Sequence, residues 1–169
     1  MDSFLVLTAI GEDRPGLVET LSRAVAAHDG NWLDSRMAHL AGKFAGILRV
    51  RVPAERVEAL EQELKGLESQ GLRVVCERGA TAEEAFRTVR LELVGADHPG
   101  IVRDVSIALA RRRVNVEELI TECTEAPMAG QPLFKATARL HLPAEVSVDE
   151  LRENLESIAN DIMVDITLE

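Results

Sequence analysis

The stretch GEDRPGLVETLSRAVAAHDGN, which begins at Gly11, returns at Gly95 as GADHPGIVRDVSIALARRRVN. The two align without a gap, and Gly11, Asp13, Pro15, Gly16, Val18, Ala24 and Asn31 recur as Gly95, Asp97, Pro99, Gly100, Val102, Ala108 and Asn115. Leu17 and Leu21 become Ile101 and Val105, which are still apolar and similar in size. Pro, Gly and Asp each do a distinct backbone job, so their recurrence at fixed spacing marks a duplicated structural unit.

The later halves repeat as well. VPAERVEALEQELKGLESQGLRVVCE resembles LPAEVSVDELRENLESIANDIMVDIT. Val57, Leu60, Leu64 and Leu67 share their spacing with Val148, Leu151, Leu155 and Ile158, which is the apolar stripe of an amphipathic helix made twice. The register between copies widens because of an insertion at residues 126–132, APMAGQP, which is turn chemistry.

Each copy reads as strand, helix, strand, strand, helix, strand. In the first copy the strands are expected at residues 4–10, 32–40, 44–52 and 72–77, and the helices at 16–28 and 54–69. The second copy puts strands at 87–94, 116–124, 133–142 and 162–168, and helices at 100–113 and 148–160. Gly30 is the expected terminator of the first helix and Gly42 the expected hairpin turn. The fold class is therefore α+β: two tandem ferredoxin-like βαββαβ domains, each an antiparallel sheet with helices on one face. The domains are placed at residues 1–78 and 87–169, with 79–86 as linker. Units this small have marginal cores, and one sheet face stays bare. The repeats are therefore expected to pack on each other, and a homodimer is compatible with the same reasoning.

Charge narrows the function. Asp plus Glu number 29 against 19 Lys plus Arg, a net charge of −10. Affinity for nucleic acid comes largely from basic residues on phosphates, so direct DNA or RNA binding is not expected. Aromatics are 3% of the chain and Tyr is absent, which also argues against an RNA-stacking sheet. The compact basic run Arg111-Arg112-Arg113 falls at a helix end, where cations suit the dipole. No segment approaches the ~20 apolar residues of a membrane span. Asp2 and the lack of a basic leader speak against export, and two cysteines make no disulfide framework, so a cytoplasmic location is expected.

The candidate chemistry lies in Asp13-Arg14-Pro15-Gly16-Leu17-Val18 and its twin Asp97-His98-Pro99-Gly100-Ile101-Val102. Both sit where a strand hands over to a helix. Pro suits the first helical turn, Gly admits close approach to the backbone, and Asp is placed to cap free amides. A helix N-terminus with donors to spare favours a carboxylate. The same pattern is also an ordinary helix start. Asn31 and Asn115 precede the next strand in each copy. Asn is a common turn residue, and its amide can equally hold an ammonium or carboxylate group.

These residues carry a family resemblance. The D-[RH]-P-G-[LI]-V element and the stretch NWLDSRM resemble the ACT domain, and the tandem arrangement is similar to ACT-domain regulators of glycine cleavage. The resemblance covers nearly the whole chain. It implies an amino-acid-responsive regulator that is not an enzyme and has no cofactor, with a small amino acid such as glycine as ligand. It also implies that the protein acts on transcription through a DNA-bound activator rather than on DNA itself. The implied ligand-binding positions are Asp13, Arg14, Pro15, Gly16, Leu17 and Asn31, with Asp97, His98, Pro99, Gly100, Ile101 and Asn115. The copies differ at Arg14 against His98 and at Trp32 against Val116.

Two other readings stay open. One is an interaction module that holds no ligand. The other is an acylphosphatase-like hydrolase with Arg14 and Asn31 as its working pair, a casting that the Asp13 charge disfavours. His28, His39, His98 and His141 are scattered, so no metal site and no catalytic residue is assigned. Cys76 and Cys123 are expected to be buried strand residues.

Overall fold

The computed structural model describes residues 1–79, 87–125 and 130–169. The chain divides into two compact units, Met1–Glu83 and Glu84–Glu169. The expected linker at 79–86 falls, apart from Gly79, outside the described residues, as do residues 126–129 of the expected insertion.

The first unit runs β1 (Asp2–Glu12), α1 (Leu17–Ala27), β2 (Asn31–Leu40), β3 (Lys43–Pro53), α2 (Val57–Gly66) and β4 (Leu72–Arg78). Short 3-10 turns, Ala54–Arg56 and Leu67–Gln70, flank α2. The second unit runs β5 (Arg87–Ala96), α3 (Ile101–Arg111), β6 (Asn115–Glu125), β7 (Pro132–Leu142), α4 (Val148–Ile162) and β8 (Val164–Leu168). Strand orders are β2-β3-β1-β4 and β6-β7-β5-β8, with antiparallel neighbours throughout. This is the ferredoxin-like βαββαβ arrangement, made twice.

The central strands alternate. Leu5, Leu7 and Ala9 of β1 are buried, as are Val89, Leu91 and Leu93 of β5. Period-two burial puts these residues on the helix-covered face. Leu17, Leu21, Ala24 and Val25 of α1 join Val57, Leu60 and Leu64 of α2 in the core of the first unit. Ile101, Val105, Ala108 and Leu109 of α3 meet Leu151 and Leu155 of α4 in the second. Each fully buried Leu contributes about 2 kcal/mol of transfer free energy. The stripes read from the sequence are thus the core faces, although Val148 and Ile158 are only partly buried.

Gly11 and Gly95 owe their recurrence to close approach. A Cβ on Gly11 would stand 2.5 Å from the Gly71 carbonyl oxygen, and one on Gly95 would stand 2.5 Å from Val164 Cγ1. The outer strands β4 and β8 begin against these bare backbones.

Several local expectations are corrected. Both first helices start one residue later than expected, after Gly16 (φ 92) and Gly100 (φ 102) in left-handed geometry. Pro15 and Pro99 therefore precede the first helical turn instead of occupying it. Helix α1 ends through Asp29, which takes the left-handed conformation (φ 55), with Gly30 N–H bonding back to Val25 at 2.9 Å. Gly30 is needed for room, because a Cβ there would press on Val25 at 2.7 Å. Cys76 is half-buried and Cys123 is exposed, so the burial expected of both fails for Cys123, which lies on the sheet's edge strand β6.

Candidate functional site

The corner between β1 and α1 is held at two points, once by its backbone and once by a side chain. Asp13 N–H donates to the Gly42 carbonyl at 2.9 Å, which ties the loop to the β2–β3 turn. Arg14 Nη2 donates to the Gln70 carbonyl at 2.6 Å, at the end of the 3-10 turn after α2. Gly16 then turns the chain, and its carbonyl accepts both the amide and the hydroxyl of Thr20 at 2.9 Å. No side chain caps α1, so Asp13 does not do the capping job expected of it. The first amides of α1 keep their donors for another acceptor. A Cβ on Gly16 would meet nothing within 4 Å, so the surface here is open. Asp13, Arg14, Gly16, Val18, Glu19 and Ser22 rim a shallow depression over Leu17 and Phe44.

The second corner repeats the backbone and changes the side chains. Asp97 N–H donates to the Pro132 carbonyl at 2.8 Å. His98 Nε2 lies 2.8 Å from the Ile162 carbonyl, on the last residue of α4. Arg14 and His98 therefore do one job: each pins its corner to the carboxyl end of the second helical segment of its unit. No side chain caps α3 either. Arg103 lies across this corner, with Nη2 3.1 Å from where a Gly100 Cβ would stand. Its Nε bonds Asp104 Oδ1 at 2.8 Å, and that bond holds the Asp104 carboxyl below its ordinary value.

The predicted positions do not all come together. Asp13, Arg14, Pro15 and Gly16 are exposed at one corner, whereas the Leu17 side chain is in the core and offers only its backbone. Ile101 is likewise in the core, beside Asp97 and Pro99, which are exposed, and His98 and Gly100, which are half-buried. Asn31 pairs with Arg51, whereas the corner follows the Glu12–Lys43 pair. Eight residue steps separate Lys43 from Arg51, about 27 Å along the strand. Asn115 pairs with His141, equally far from the corner after Ala96. Within one unit, Asn31 and Asn115 stand at the opposite end of the sheet from the loops. Arg14 and Asn31, the pair a hydrolase would need side by side, are separated in the same way.

Sequence reading missed the groups that do meet the corners. His39 Nε2 lies 3.7 Å from Asp13 Oδ2. At the equivalent place in the second unit Cys123 faces Asp97, and its thiol is pushed up, first by local desolvation and then by that carboxylate. His39 and Cys123 share the spacing of the repeat, the one available signal. The carbonyls of Gln70 and Ile162 carry none. Cys76 is pushed up to about 11 by burial and by Glu61, so its thiol stays protonated near neutrality. Among the described residues, no three His, Cys, Asp or Glu side chains gather as for a metal, and no helix is long and apolar enough to cross a membrane.

The chain is thus a tandem pair of ferredoxin-like units, each opening its first helix behind a left-handed glycine. The ACT-domain family model matches residues 3–77, nearly the whole first unit, which is therefore an ACT domain. It is 27% identical over 164 residues to the glycine cleavage system transcriptional repressor of Escherichia coli (strain K12), covering 94% of this chain and 85% of the repressor. A crystal structure of an unknown protein from Galdieria sulphuraria superposes with a TM-score of 0.86 at 32% identity, covering 100% of this chain and 98% of that one. A candidate glycine cleavage system transcriptional repressor superposes with a TM-score of 0.73 at 20% identity, covering 100% and 97%, and shares the fold of both units.

Proposed function

We propose that this chain is an amino-acid-responsive regulator of glycine cleavage, a cytoplasmic repressor that binds a small amino acid such as glycine and acts through a DNA-bound activator. One observation carries the binding part: α1 begins with uncapped amides behind an exposed Gly16, with the Asp13 carboxylate alongside. Amides and the positive end of a helix suit a carboxylate, and Asp13 suits an ammonium. A zwitterion presents both. The first corner is the better host, because Arg103, already paired to Asp104, lies over Gly100 in the second.

The regulatory part is supported by the ACT-domain match of the first unit and by the repressor relative. The net charge of −10 supports a protein partner in place of DNA. A ligand of about five heavy atoms gains at most ~7.5 kcal/mol, so its dissociation constant is micromolar at best. Such an affinity suits an abundant metabolite.

Isothermal titration of the full chain with a panel of amino acids tests the reading. Heat from a small amino acid that Gly16→Ala abolishes and Gly100→Ala retains is the expected result. Flat heats across the panel with folded protein would leave the interaction module that holds no ligand.

A further inference from the structure

The two corner clamps differ in one chemical respect. The Arg14 guanidinium is charged at every pH a protein meets. The imidazole of His98 is not, and its surroundings are acceptors. Nε2 faces the Ile162 carbonyl at 2.8 Å, and Nδ1 faces the Pro99 carbonyl at 3.2 Å. A carbonyl oxygen only accepts, and a neutral imidazole carries a single N–H. Both contacts coexist only in the imidazolium. Ile162 closes α4 and Met163 follows it in left-handed geometry (φ 54), so the carbonyl belongs to the negative end of a helix.

We propose that His98 is a protonation-controlled positioning residue for the second corner. As imidazolium it clamps the loop to the end of α4 and orients the Pro99–Gly100 peptide, from which α3 starts. As neutral imidazole it keeps one contact and releases the other. In the first unit the equivalent clamp is Arg14, which stays charged throughout.

The charges around His98 favour the protonated form. Asp97 precedes it in the loop, and Asp104 faces it from the first turn of α3, partly offset by Arg103. Asp161 precedes Ile162 on α4, and Asp165 follows on β8 across from Val94. The Ile162 bond, then the Pro99 bond, hold the imidazole above its ordinary value, with Asp97 and Asp104 adding to them against partial desolvation. A group raised in the folded state contributes fully below its unfolded value, and that contribution is lost as pH rises through the folded value. The clamp is therefore closed in mild acid and opens toward alkaline pH.

The test is an NMR titration of the labelled full chain without ligand, from about pH 5 to pH 9, the range that brackets an imidazole. It is thus independent of amino-acid binding. The His98 ring should titrate above the ordinary ~6.5. The Gly100 and Met163 amides should move with the same midpoint, while Gly16 and Gly71 should not follow it. His98→Arg should remove most of the pH response at Gly100 and Met163. A His98 midpoint at or below the ordinary value overturns the proposal even if the variant folds poorly. So does a Gly100 and Met163 response that persists in His98→Arg.

Discussion

The first unit leans Trp32 and Met37 from β2 onto its core, and Met37 lies against Gly46 of β3, 2.7 Å from where a Cβ would stand. The second unit has Val116 and Thr121 at those places, both exposed. An apolar crevice is left there, between Val102 of α3 and Val116 and Leu119 of β6, floored by Phe134, Ala136 and Ala138. Yet the two sheets have the same strand order and the same register break after the first residues of β2 and β6. Backbone geometry was kept by Gly, Pro and the inner apolar rows, while edge-strand side chains drifted. The corners teach the same lesson. Arg14 and His98 differ in chemistry and reach equivalent carbonyls.

The comparison breaks first at the glycines. Gly11→Ala should cost about 3 kcal/mol, because the added methyl meets backbone and not a mobile side chain. The urea midpoint of fluorescence from the sole tryptophan, Trp32, reads it in the first unit. Gly95→Ala should cost a similar amount against Val164, read by amide exchange in β5 and β7. A loss below about half a kcal/mol at either glycine would end the close-approach account.

Trp32→Val, which copies the second unit's edge into the first, should cost about 2 kcal/mol, less than a fully buried tryptophan would. Amide exchange in β3 would measure it, and no loss would mean that Trp32 only covers the core. Ser147→Ala should cost about 1 kcal/mol, since Ser147 Oγ accepts the Glu150 amide at 3.1 Å and caps α4. Its counterpart helix α2 has no side-chain cap, so removing Arg56 beyond Cβ at that N-terminus should cost little. The smallest effect belongs to Glu19→Gln, a few tenths of a kcal/mol, because the Glu19–Arg23 pair is exposed on α1. Thermal melting in low salt would resolve it, and a loss above 1 kcal/mol would reveal a further role for Glu19.

Much of the fold was legible because its signals are local. Val57, Leu60, Leu64 and Leu67 announce a helix face by spacing alone, and the hairpin turn at Gly42 (φ 78) is where turn chemistry puts it. The site was less legible. Asn31 recurs together with Pro15 in both repeats, yet α1 carries the chain back along the sheet before Asn31 begins β2. Asp13 reads as a cap by type, yet the N-cap position of α1 is Gly16 and no side chain bonds its first amides. Cys76 and Cys123 read as buried by residue type, but both lie on edge strands, β4 and β6, where one is half-buried and the other exposed, and edge position is a property of strand order.

By itself, the order of residues determined two βαββαβ units, their apolar faces and a glycine at each strand-to-helix corner, because periodicity and backbone conformational preference act within a few residues. Tertiary structure alone decided that Arg14 meets the Gln70 carbonyl, that His98 meets the Ile162 carbonyl and that His39 faces Asp13. Those partners are distant along the chain, and backbone carbonyls have no residue identity. Only closure of the sheet and packing of the helices could bring them within hydrogen-bond reach.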